Sequence, residues 1–166
     1  MSRVLLLGLA LMATIAAGEP ARYAPANGGF SYVPPAGWTM KEMPGMKFKS
    51  SVGPPEDGIA PNLQVVDAHS PHDFVFVTDS YLQAMENASE EFKLVERAEF
   101  VTASGLKGLR MIVTTKQGKL RLRQVIYVFP GTGDQLFINT GTASAKVGRG
   151  LDHVFDAAMT TFAITP

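Results

Sequence analysis

The most extended pattern in the chain is an alternation of apolar and polar residues with a period of two. It runs through residues 92–103, 106–115, 119–129 and 134–143. Successive side chains of a strand point to opposite faces, so this period predicts four consecutive β-strands. The separators "SG", "KQG" and "PGTG" are short and carry glycine, which predicts hairpin turns and antiparallel pairing. In the third run, Leu120, Leu122, Ile126 and Val128 share one face, while Arg121 and Arg123 begin the other. Tyr127 and Phe129 then make that second face apolar as well. A strand apolar on both faces belongs in a sheet covered on both sides.

Two segments depart from this period. Phe74, Val77, Tyr81, Met85 and Ala88 recur at steps of three and four, with Asp79, Gln83, Glu86 and Asn87 opposite, which predicts an amphipathic helix. Phe76 falls on its polar side, so the alternative is an extended "FVFV" with the helix starting at Thr78. At the end of the chain Val147, Leu151, Val154, Phe155, Ala158 and Phe162 form one stripe, with Lys146, Arg149, His153 and Asp156 opposite: a second helix, packed on the sheet. Before the first helix, Phe30, Tyr32 and Val33 predict a strand stopped by Pro34-Pro35, and residues 47–52 and 63–68 predict two more. The order β-β-β-α-β-β-β-β-α gives an α+β domain with an antiparallel sheet and helices on its faces.

The first eighteen residues, "MSRVLLLGLALMATIAAG", stand apart from this pattern. Arg3, an apolar run from Val4 to Ile15 and small residues at Ala16-Ala17-Gly18 have the layout of a secretory signal peptide. Cleavage is expected after Gly18, with Ala17 as the other candidate and an uncleaved anchor as the alternative. Residues 19–29 would be a linker and residues 30–166 a single domain. The expected location is outside the cytoplasm, periplasmic or secreted. With Arg3 removed, 14 basic residues face 15 acidic ones. No cationic excess is available for phosphates, so nucleic acid is not an expected partner. No later apolar run is long enough to cross a bilayer, and the chain has no cysteine.

Candidate chemistry concentrates in "DAHSPHDF". Asp67, His69 and His72 carry nitrogen and carboxylate ligands that could hold a zinc ion, with one position open for catalysis. The helical zinc motif, however, spaces its histidines four apart and adds a glutamate, and neither feature is present. The competing account makes Ser70 an N-cap, Pro71 the first helical residue and Asp73 the acid of a capping box. Ser104 and Lys107 have S-x-x-K spacing but sit between two strands rather than at the start of a helix. Residues 130–135, "PGTGDQ", lack the lysine and the helix of a phosphate loop. Asn87-Ala88-Ser89 is a formal glycosylation sequon at a helix end. No catalytic, cofactor or metal residue is therefore assigned, and the expectation is a domain that binds rather than catalyses. Phe76 and the "GPPEDG" loop (residues 53–58) are the candidate contact residues for an unidentified protein partner. A metal-dependent enzyme or carrier using Asp67, His69 and His72 is one alternative, and a small-ligand carrier is another.

Four stretches together resemble the PsbP-like superfamily: "FSYVPPAGW", "VGPPEDGIAPNLQVV", "GLKGLRMIVTTKQGKLRLRQVIYVF" and "LDHVFDAAMTTFAI". That group includes the PsbP extrinsic subunit of photosystem II, Ran-binding Mog-type proteins and exported bacterial DcrB-like proteins. The resemblance spans Phe30 to Ile164. It implies an α/β/α sandwich around a mostly antiparallel sheet with helices on both faces, and a non-catalytic role in binding or assembly. The plastid targeting and photosystem-docking segments of the plant subunit have no counterpart here, so neither that partner nor Ran is carried over.

Overall fold

A computed structural model describes residues 21–165; the expected signal peptide, residues 1–18, lies outside the described residues. The elements are β1 (Phe30–Ser31), β2 (Thr39–Lys41), β3 (Ser50–Val52), β4 (Asn62–His69), α1 (Phe74–Ala88), β5 (Glu90–Val101), β6 (Lys107–Gln117), β7 (Leu120–Pro130), β8 (Gln135–Ser144), α2 (Gly148–Thr160) and β9 (Ala163–Ile164). Seven strands form one sheet in the order β2-β3-β4-β8-β7-β6-β5, antiparallel at every junction. The four predicted hairpin strands are present within two residues of their expected ends. The first predicted strand is shorter than expected and lies outside this sheet: β1 pairs only with β9.

The alternation along β7 sorts the core into two layers. Val125, Tyr127 and Phe129 face α2, together with Leu63 and Val65 of β4, Phe137 of β8, and Phe30 and Phe162 from beside the β1–β9 pair. Phe162 stacks on Phe129 at 4.9 Å and on Phe30 at 5.6 Å. On the opposite face, Met111, Val113, Ile126 and Val128 meet Leu82, Phe74, Tyr81 and Met85 of α1. The sheet is thus covered by one helix on each side, as the two-faced apolar pattern of β7 requires.

The helix α1 spans the predicted stripe from Phe74 to Ala88, but its cap differs from the sequence expectation. Asp73, not Ser70, is the N-cap: its Oδ1 accepts from the Val75 and Phe76 backbone N–H groups at 2.9 and 3.0 Å. Ser70 instead accepts the His72 N–H in a loop turn at 3.1 Å. Aspartate is as good a cap as serine and adds a negative charge at the positive end of the helix, so the later residue wins. The segment "FVFV" is helical, and Phe76, a candidate contact residue, is 52% exposed.

Two carboxylates one helical turn apart fix α2 to the sheet. Arg123 of β7 donates from Nε and Nη2 to Asp152 at 2.9 and 2.6 Å. Arg110 of β6 grips Asp156 in the same way at 2.6 and 3.1 Å. The Tyr127 hydroxyl also donates to Asp156, at 2.5 Å. Burial first, and then this carboxylate partner, push the Tyr127 hydroxyl far above its ordinary pKa, so it serves as a fixed donor. Close approach of the helix also needs Gly141 on β8, where a Cβ would stand 2.5 Å from the Phe155 ring.

Candidate functional site

The pieces of "DAHSPHDF" do not converge. Asp67 is paired with Lys47. His69 points to Asp134 on the β7–β8 turn, Nδ1 to Oδ1 3.0 Å, and this contact holds the Asp134 carboxyl below its usual range. His72 lies against the Phe76 ring at 4.6 Å. Among the described residues no group of three histidine, aspartate or glutamate side chains is gathered as a metal ion would require. Ser104 bonds with Thr102 in the β5–β6 turn, while Lys107 opens β6 opposite Val101. Residues 130–135 form a hairpin turn closed by Gly131 N–H to Gln135 O at 2.8 Å. Asn87 and Ser89 close α1, and Asn87 accepts from Gln83. In the "GPPEDG" loop, Asp57 accepts from Ser144 at 2.6 Å and Lys146 at 3.2 Å; the Ser144 hydroxyl, and then Lys146, keep its pKa low.

A concave surface forms elsewhere, between residues 33–38 and the outer flank of α2. Pro34 and Pro35 end the run after β1 and are buried. Pro35 then opens a tight turn in which the Trp38 N–H returns to Pro35 O at 3.1 Å and Gly37 takes φ +77°. A positive φ of this kind costs little only for glycine. The turn lays the Trp38 indole edge-on to Phe155, 5.8 Å between centroids, and over Gly53, where a Cβ would come within 2.7 Å of the ring. The far end is tied down by Thr161, whose Oγ1 accepts from Val33 N–H and donates to Ala158 O, both at 2.7 Å. Arg22 adds a bond to Thr161 O at 2.9 Å.

The result is a groove of about 380 Å³ walled by Pro34, Pro35, Trp38, Val154 and Ala157, with His153 on its rim. That volume is within the range of small-ligand clefts, about 300–1,000 Å³. Its walls offer apolar contact, one indole and one imidazole, a set suited to holding a ligand or a partner side chain. Sequence reasoning did not find it, because its walls come from segments more than a hundred residues apart. One signal was available: Trp38 is the sole tryptophan, three residues after Pro34-Pro35.

No family model and no curated protein matches the sequence. Solved structures do match in three dimensions. Cyanobacterial PsbP from Synechocystis sp. PCC 6803 superposes with a TM-score of 0.66 over 96% of this chain and 99% of its own, at 14% identity. This chain has the PsbP-like fold. LpqN of Mycobacterium tuberculosis, described as involved in cell envelope biogenesis, reaches a TM-score of 0.66 at 13% identity, covering 88% of this chain and 90% of its own. The Saccharomyces cerevisiae Ran-binding protein Mog1p reaches 0.59 at 11% identity, covering 87% and 94%. The PsbP-like fold is therefore shared across proteins with different roles, and at such identities only the fold is common ground. No helix among the described residues is long and apolar enough to cross a membrane.

Proposed function

We propose that this protein is an exported, non-catalytic binding or accessory domain that engages a protein or envelope partner through the groove between Trp38 and α2. The observation that carries the reading is the groove itself. It sets a partly exposed indole and the exposed His153 and Ala157 of α2 around a floor of two buried prolines on a rigid turn. Aromatic and proline surfaces held rigid before binding lose little conformational entropy on contact. The neighbours' own descriptions support contact-making roles: one binds Ran and another takes part in envelope biogenesis. Export rests on the layout of residues 1–18.

Ala157→Arg places a long cation on the groove wall without touching the core, so the variant should melt within about 2 °C of the parent. Capture from envelope fractions with the parent chain and with this variant tests the site. A protein retained by the parent and lost by Ala157→Arg supports the groove; the same set retained by both removes it. The exported chain recovered for this experiment should begin at Glu19, and an intact Met1 in the same fraction would overturn the signal-peptide reading. A small-ligand carrier is the second reading, favoured by the groove's volume. Under that reading, Trp38 emission shifts with a soluble extract from which protein has been removed.

A further inference from the structure

The end of β2 and the β2–β3 connection read "MKEMPGMKF", with methionines at positions 40, 43 and 46. Two of them bracket a tight turn. Met46 N–H returns to Met43 O at 3.1 Å, with Pro44 and Gly45 between them and Gly45 at φ +77°. Proline followed by a left-handed glycine is the type II arrangement, which holds the first and fourth Cα atoms within about 7 Å. Met43 and Met46 are half-buried, and both line one cavity of about 510 Å³ beside β3. Methionine ordinarily fills gaps in a core. Here two thioether side chains on an exposed loop line the same cavity, from the two ends of a turn that brings their Cα atoms close.

We propose that Met43 and Met46 form a binding site for a soft monovalent cation, Cu(I) in nature and Ag(I) as its laboratory stand-in. Thioether sulfur selects Cu(I) among biological metals by softness, whereas zinc and calcium sites need thiolate, imidazole or carboxylate ligands. The charged groups lining the cavity are Lys47, Lys49 and Glu42. Lys47 is paired with Asp67, and Lys49 stands 3.7 Å from Glu42, so neither lysine brings an uncompensated charge to the sulfurs. Neutral ligands also suit a singly charged ion, because no carboxylate has to be desolvated to hold it. The chain has no cysteine, so no thiol competes for the ion. This site is separate from the Trp38 groove and does not depend on it.

The test is titration of the purified protein with Ag(I), and with Cu(I) in the presence of a chromophoric Cu(I) chelator, followed through the methionine methyl signals in NMR. One equivalent should bind. The Met43 and Met46 methyls should move, while those of Met111 and Met159, buried in the two core layers, stay in place. Zn(II) should produce no shift. Met43→Leu and Met46→Leu preserve side-chain volume and should keep the parent's melting temperature. Removing a second-shell partner of a metal costs up to about a hundredfold in affinity, so losing either sulfur should cost at least about that much. Met85→Leu on α1 serves as the control and should bind as the parent does. Absence of stoichiometric Ag(I) binding by the parent overturns the proposal. So does undiminished binding by the Met43→Leu, Met46→Leu double variant.

Discussion

Phe155→Ala should lower the unfolding free energy by about 3–5 kcal/mol, the usual cost of emptying a buried aromatic site. Phe155 is 1% exposed and packs between the Trp38 edge and the backbone of Gly141. Neither neighbour can fill the gap. The indole is held by its own turn, and a glycine has no side chain to advance. The cavity should therefore persist, and the groove wall above it should loosen with it. Urea denaturation followed by Trp38 emission measures both effects. A loss below about 1 kcal/mol would show that α2 is not seated on β8 as described.

The second large effect lies at the other contact of the same helix. Asp156→Ala should cost about 2–4 kcal/mol. This is somewhat less than for a fully buried pair, because the aspartate side chain is 34% exposed. The loss arises mainly from what is left behind: the Arg110 guanidinium, only 12% exposed, is stranded with the half-exposed Glu96 as its one remaining acceptor, and the Tyr127 hydroxyl loses its acceptor. Adding Arg110→Met should then recover part of the loss, since the stranded charge leaves with it. A double-mutant cycle in urea decides the point. If the double variant is less stable than Asp156→Ala alone, the stranded charge is not the cause.

Much of the sheet was legible because its physics is local. The hairpin strands β5 to β8 each carry their own alternation and end at short glycine-bearing turns. The stripe on α2 repeats long enough to leave one solution, although Phe162, read as its last member, lies just past the helix and stacks in the core. Other features depended on competition or distance. At α1, Ser70 read as the cap and Asp73 as the acid of its capping box, and only the three-dimensional path of the loop moves the cap to Asp73. The strands β2 and β9, of three and two residues, are too short to show any period and exist because tertiary partners complete their hydrogen bonds. The histidine loop attracted attention through residue type. The groove escaped it because prolines, alanine and tryptophan announce no chemistry until folding places them together.

The pairing of β1 with β9 also sets when this molecule can finish folding. Thr165 N–H reaches Gly29 O at 3.0 Å, and the Phe162 ring lies between those of Phe30 and Phe129. A nascent chain therefore carries an unsealed aromatic layer until residues 162–165 have left the ribosome. Contacts so far apart in sequence are also slow to form. Synthesis of the first strand and closure of the layer over it are thus separated in time by most of the chain's length.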